Sequence, residues 1–161
     1  MKLLWAPWRV EYIKTPKEKG CFLCKSISDN DDDGNLVLWR GKFSFVIMNL
    51  FPYNNGHLMV VPYKHTGDLN DLVDEEMLDV MSTVRLCVNV LKKEMKPDGF
   101  NIGVNIGRAA GAGVIDHLHY HVVPRWHGDM NFMPVLSDVK VIPEHIETTY
   151  DILKKAFNNH K

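Results

Sequence analysis

The sequence has little net charge, few cysteines and no long apolar run, and each shortage excludes a class of protein. Its 19 Lys and Arg residues nearly balance 20 Asp and Glu residues, so no global charge attracts nucleic acid or an anionic membrane surface. No stretch approaches the roughly 18 apolar residues of a membrane span, and the start does not resemble a signal peptide. Three cysteines, an odd number, argue against a disulfide framework. We therefore expect a cytoplasmic protein that binds neither nucleic acid nor membranes.

No internal repeat, low-complexity tract or linker divides the chain, so one domain covering residues 1–161 is expected. A chain of this length buries a sizeable core without cross-links. The opening stretch, 5–13, is dense in aromatic residues. We interpret it as a strap that covers the domain or a partner subunit, with coverage of a ligand as the alternative.

Hydrophobic patterning predicts strands followed by helices. Four short apolar runs bounded by turn residues predict β-strands, the first two forming a hairpin: 36–40, 43–49, 57–62 and 100–106. Apolar residues at alternating spacings of four and three predict an amphipathic helix of about twenty residues: Met77, Met81, Val84, Val88, Leu91 and Met95. A similar spacing after about residue 143 predicts a closing helix. Cys87 lies near the first stripe and is interpreted as a buried, inert thiol.

Three histidines alternate with apolar residues in the stretch 117–124. Strict alternation has the period of a β-strand, so the three imidazoles are expected on one face of the strand. If the strand needed only a polar face, common polar residues such as Thr, Lys or Glu would serve as well as histidine. We therefore interpret the stretch as a functional site.

A glycine-rich loop, 107–113, runs directly into the histidines. Glycine lets backbone amides approach an anion closely, although the pattern matches neither a Walker nor a Rossmann motif. Its position favours phosphate binding. Arg108 and Arg125 could guide phosphates, but the default interpretation of each is a solvated arginine.

Cys21 and Cys24 form a CxxC pair, which predicts half of a zinc site or a redox pair. A redox pair should follow a strand and open a helix, whereas this pair precedes the first predicted strand. A closed zinc site needs two further ligands, and one of the three histidines together with His65 would supply them. The two remaining histidines are then available as acid, base or nucleophile.

The run His-Leu-His-Tyr-His-Val-Val at 117–123 resembles the defining motif of the histidine triad (HIT) superfamily of nucleotide hydrolases and transferases. Asn49, the stretch 56–62, and Asn105 with the glycine loop are similar to the other motifs of that family, in the same order. The stretches 4–9 and 121–132 look like the branch that includes diadenosine tetraphosphate phosphorylases.

This resemblance implies an α+β fold with a five-stranded antiparallel sheet, a long helix and a C-terminal helix. It implies a homodimer in which the two sheets form one larger sheet. It also implies a nucleotide substrate, with adenine dinucleoside polyphosphates as the expected class, and a structural zinc ion.

The resemblance further implies roles for individual residues. His119 would attack the α-phosphorus to give a nucleotidyl-histidine, His121 would contact the phosphate or leaving group, and His57 would line the same pocket. The implied zinc ligands are Cys21, Cys24, His65 and His117. The implied substrate-binding positions are Asn49, Asn105, Gly111 and Gly113.

Two features of the predicted pocket stay open. Phe43 and Phe45 are candidates to stack on the nucleotide base, with an ordinary core role as the alternative. Many triad hydrolases carry a polar residue where this sequence has Gly113, so either water or inorganic phosphate could be the acceptor. The alternative function is a nucleotide-binding regulatory module with little turnover.

Overall fold

The structure, a computed structural model, describes residues 20–129 and 144–160. The aromatic stretch 5–13 and residues 130–134 of the loop after the histidines lie outside the described residues. The described helices and strands are, in order, α1 Phe22–Ser28, β1 Val37–Arg40, β2 Ser44–Met48, β3 Leu58–Pro62, α2 Asp74–Met95, β4 Gly99–Val104, β5 Tyr120–Arg125 and α3 Ile146–Asn158. Among the described helices, none combines the length and apolar character that crossing a membrane demands.

The five strands form one antiparallel sheet in the order β1-β2-β3-β5-β4. This arrangement confirms the α+β class, the predicted hairpin and the five-stranded antiparallel sheet. The last strand, β5, lies between β3 and β4, so that His121 pairs with Met59 of β3 on one side and with Gly103 of β4 on the other. The histidine segment therefore enters the sheet at an interior position.

Alternation along the strands divides the sheet into two faces. Tyr120 and Val122 of β5 pack in the larger core cluster with α2 and α3. Residues of opposite parity pack on the other face, where Leu23 of α1 joins Phe45 and Met59. Because His121 lies between Tyr120 and Val122, it belongs to the face that carries α1.

The predicted long helix is present, but its core stripe is rotated from the predicted one. Met81, predicted to face the core, is half exposed, whereas Val80 and Cys87 are fully buried. Small and β-branched side chains on this stripe let α2 lie close to the sheet, and the larger methionines flank the contact. Burial raises the pKa of the Cys87 thiol, in agreement with an inert cysteine.

Candidate functional site

The histidine segment is only partly a strand, so the prediction of a regular strand over 117–124 is wrong at its start. The ladder begins at Tyr120, which pairs with Val60 and Val104. Before it, the Leu118 amide donates to the Thr66 carbonyl at 2.7 Å. Because β3 ends at Pro62, a turn of the chain replaces the neighbouring strand as the partner of this segment. Leu118 is nevertheless buried, as alternation predicts.

The side chain of His119 is held in one tautomer. Its Nδ1 lies 2.9 Å from the backbone oxygen of His117, and a carbonyl oxygen can only accept, so Nδ1 carries the proton. The lone pair is therefore on Nε2. Burial lowers the pKa of His119 below its ordinary value, which keeps the ring neutral near pH 7. A neutral imidazole with a defined lone pair is a competent nucleophile.

A hydrogen-bonded chain sets the tautomer of His121 as well. The Tyr53 amide donates to Nδ1 of His57 at 3.0 Å, so a neutral His57 carries its proton on Nε2. That Nε2 lies 2.9 Å from Nδ1 of His121, which must accept. The proton of a neutral His121 is then on Nε2. His119 and His121, with ring centres 5.0 Å apart, thus combine an acceptor nitrogen with a donor nitrogen.

Four side chains meet beside the histidine segment in a group that could hold a metal ion: Cys21, Cys24, His65 and His117. Their donor atoms all lie within 4.8 Å of one another. Nδ1 of His117 is 3.3 Å from Sγ of Cys21 and 3.3 Å from Nδ1 of His65. Around a tetrahedral zinc, a nitrogen and a sulfur ligand lie about 3.5 Å apart and two nitrogens about 3.3 Å apart. The group therefore fits zinc.

His117 links this metal group to the rest of the site. Its Nε2 donates to the Pro62 carbonyl at 2.9 Å, which leaves Nδ1 without a proton and directed at the thiols. Its own carbonyl accepts the hydrogen bond from His119. One residue thus contributes a nitrogen to the group that could hold a metal ion and the acceptor that orients the candidate nucleophile.

The CxxC pair opens a helix, and among the described residues this helix comes before the first strand, as the sequence predicts. Cys21 precedes the first residue of α1 and Cys24 lies in its first turn. Two histidine nitrogens close to the thiols, rather than the position in the chain, distinguish the pair from a redox motif. Arg40 of β1 holds the other end of the helix by donating to the Ser26 and Ile27 carbonyls at 2.9 Å.

The four substrate-binding residues predicted at the polar and glycine positions differ in their location and in their burial. Nδ2 of Asn49 is 3.4 Å from Nδ1 of His57, so Asn49 belongs to the histidine cluster. Asn105 is half buried directly after β4, one step beyond the pairing of Val104 with Tyr120 and on the histidine side. Gly111, at φ +83°, is exposed in the glycine loop, and Gly113 is half buried.

The two candidate stacking residues differ in burial. Phe45 is fully buried and its ring lies 5.8 Å from that of Tyr63, which favours a core role for it. Phe43 is half buried, with the Lys42 ammonium 4.6 Å above its ring. Of the two rings, that of Phe43 is the more accessible, so Phe43 remains the candidate for stacking on the nucleotide base.

Arg125 forms an ion pair at the end of β5, with 39% of its side chain exposed. Its Nε and Nη2 bind the two carboxylate oxygens of Asp129 at 2.6 and 2.9 Å. These hydrogen bonds lower the pKa of Asp129 to about 2. This ion pair was not predicted from the sequence, and neither were the contacts of Tyr53 and Asn54. The sequence signal for these two residues is a run of polar residues in an otherwise apolar region.

Comparisons with known proteins agree with this geometry. The HIT domain family matches residues 33–128. An AP-4-A phosphorylase from Mycobacterium tuberculosis is 39% identical over 161 aligned residues, which cover 95% of this chain and 83% of that protein. A bis(5'-nucleosyl)-tetraphosphatase (asymmetrical) from Schizosaccharomyces pombe is 34% identical over 98 residues, 61% of this chain and 53% of that protein.

A crystal structure of a zinc-bound histidine triad family protein from Mycobacterium smegmatis superposes with a TM-score of 0.70. The two sequences are 25% identical, and the superposition covers 88% of this chain and 95% of the Mycobacterium smegmatis chain. The fold, the histidine cluster and the matched residues agree on one conclusion. This chain belongs to the HIT family.

Proposed function

We propose that this protein cleaves dinucleoside polyphosphates and carries a nucleotidyl group transiently on His119. The observation that supports it is the hydrogen bond from Nδ1 of His119 to the His117 carbonyl, because it leaves the Nε2 lone pair available beside the Nε2 proton of His121. The names of both relatives, an AP-4-A phosphorylase and a bis(5'-nucleosyl)-tetraphosphatase, support this substrate class.

The reaction proceeds in two displacements. In the first, the Nε2 lone pair of His119 attacks the α-phosphorus, and the bond from that phosphorus to the bridging oxygen breaks. His121 donates a hydrogen bond from Nε2–H to the leaving oxygen, which departs as an anion, and one such donor to a developing charge contributes about 10²–10³-fold in kcat. Amides of the glycine loop stabilise the equatorial oxygens, on which the charge of a loose transition state is spread.

In the second displacement, water or inorganic phosphate attacks the same phosphorus. The bond between phosphorus and nitrogen breaks, and its electron pair returns to Nε2 of His119. A phosphate anion attacks through an oxygen that carries no proton, whereas the proton lost by a water acceptor passes to solvent. The phosphorylase name of the more similar relative favours inorganic phosphate as the acceptor.

The test incubates the protein with diadenosine tetraphosphate, with and without inorganic phosphate, and identifies the products. A nucleoside diphosphate that forms only with phosphate indicates phosphorolysis, and nucleoside monophosphate indicates hydrolysis. Replacing His119 by Ala should abolish turnover almost completely. The proposal is wrong if neither product forms, or if the His119→Ala protein retains a comparable rate.

We further propose that the metal is a structural zinc ion held by Cys21, Cys24, His65 and His117. These four side chains fill a tetrahedral site, which leaves no open position for substrate. Zinc bound there would supply folding free energy rather than take part in the reaction.

We also propose a cytoplasmic homodimer in which the β4 edges of two sheets pair. Among the described strands β4 adjoins only β5, and Ile102 on it is 48% exposed. An exposed edge with an apolar side chain readily pairs with another strand. All three cysteines are free thiols, which supports a reducing compartment. Sedimentation equilibrium and cell fractionation test the two statements.

A further inference from the structure

The loop between β2 and β3 contains two buried amide side chains that the reaction does not use. Asn54 is 7% exposed and Asn55 is 8% exposed. Buried amides are retained in a fold when their donors and acceptors are satisfied, because an unmet one is costly. The partners of each asparagine therefore show what it holds in place.

Asn54 ties this loop to the strand that carries His121. Its Nδ2 donates to the Pro124 carbonyl at 3.1 Å and to the Asp129 carboxylate at 2.8 Å. Pro124 lies in β5, three residues after His121, and Asp129 is held in turn by Arg125. The loop and the end of β5 are thus joined through one amide group.

The backbone of the same loop sets the histidine tautomers. The His57 amide donates to the Asn54 carbonyl at 3.2 Å, and the Tyr53 amide donates to Nδ1 of His57 at 3.0 Å. The Tyr53 ring also stacks on the His57 ring, with centres 4.9 Å apart. The direction in which the Tyr53 N–H group points therefore depends on where Asn54 holds the loop relative to β5.

We propose that Asn54 is a positioning residue: by tying the loop to β5 it keeps the Tyr53 amide on His57 and so keeps the proton of His121 on Nε2. Asn54 contacts no reacting atom and acts through the chain of Tyr53, His57 and His121. Without the tie, Nδ1 of His57 can hold the proton, and His121 then presents a lone pair to the leaving oxygen. The kinetic consequence rests on the proposed function, whereas the tautomer itself does not.

The kinetic test uses Asn54→Leu, which has nearly the same shape but cannot donate a hydrogen bond. Because a hydrogen-bond donor to a developing charge contributes about 10²–10³-fold, its partial misalignment should lower kcat by about 10–100-fold and leave KM within about threefold. Thr149→Val is the matched control, since its hydroxyl contacts Oδ1 of Asn55 at 3.0 Å and the Glu144 carboxylate, and so ties the same loop to α3 instead. The control should keep kcat within about twofold, because α3 carries none of the reacting groups.

A spectroscopic test requires no turnover. Long-range ¹H–¹⁵N spectra of histidine-labelled protein, recorded where the rings are neutral, report which nitrogen of His121 carries the proton, and His121→Gln assigns the signal. We expect the Nε2–H pattern in the unmodified protein and in Thr149→Val, and a mixture of tautomers in Asn54→Leu. If the unmodified protein does not cleave dinucleoside polyphosphates, the proposed function fails while this comparison still decides the role of Asn54.

Two results would overturn the inference. One is a folded Asn54→Leu protein with the His121 pattern of the unmodified chain, whatever its rate. The other is an equal loss of kcat in Thr149→Val, because general order of the loop would then explain both. If Asn54→Leu does not fold, Asp129→Ala removes the carboxylate side of the same tie at a less buried position, and the same two measurements apply with the same outcomes.

Discussion

Removal of the proposed zinc ion should destabilise the whole fold, because its four proposed ligands lie in three separate parts of the chain. Cys21 and Cys24 lie at the start of α1. His65 lies 41 residues after Cys24 in the sequence, and His117 lies 96 residues after Cys21. Within α1 only Leu23 and Ser26 are buried, so little else holds this helix to the sheet apart from Arg40. The metal group is thus the main tie between α1 and the sheet.

The size of the effect follows from linkage. Zinc at 100 to 1,000 times its dissociation constant stabilises the folded state by about 3–4 kcal/mol. For a domain of this size each kcal/mol moves Tm by about 2–4 °C, so removing zinc should lower Tm by about 6–16 °C. Cys24→Ser should show a similar decrease without any chelator.

Calorimetry with and without a zinc chelator, combined with metal analysis, measures this effect. Cys87→Ala is the control, because it removes the one cysteine outside the metal group and should respond to the chelator as the unmodified protein does. In Cys24→Ser the chelator should have no further effect. A Tm that is equal with and without zinc, or one zinc per chain retained by Cys24→Ser, would refute the reasoning.

Three further predictions follow from other parts of the site. His121→Ala should lower kcat by about 10²–10³-fold in steady-state assays, less than loss of His119, and an unchanged kcat would exclude His121 as the hydrogen-bond donor to the leaving oxygen. Gly56→Ala should lower the free energy of unfolding in urea by about 1–2 kcal/mol or more, because Gly56 has φ +72° and an added Cβ would lie 2.6 Å from the Met95 sulfur. The Asp129 carboxylate has a pKa lowered to about 2, so its contribution to stability is present above its ordinary pKa and is lost as the pH falls towards 2. Acid titration of stability should therefore lose part of its slope in Asp129→Asn, and identical slopes would contradict the assignment.

Periodicity in the sequence predicts most of the fold. Short apolar runs bounded by turn residues locate the hairpin, β3 and β4, and a period of three to four locates α2. The errors occur where tertiary contacts override the pattern. Residues 117–119 alternate like a strand but lie beyond the end of β3, so the turn that contains Thr66 takes the place of a ladder partner. The core stripe of α2 is rotated because small side chains, rather than the longest ones, fit against the sheet.

The sequence by itself determined which chemical groups are present and on which face of the sheet they lie, because residue type and alternation are local properties. Only the tertiary structure shows which ring nitrogen of His57 and of His119 carries the proton. The partners that set the tautomers of His57 and His119 are a backbone amide and a backbone carbonyl, groups that every residue has and that no sequence pattern marks. The tie from Asn54 to Pro124 spans 70 residues, and only the folded chain brings these groups within hydrogen-bonding distance.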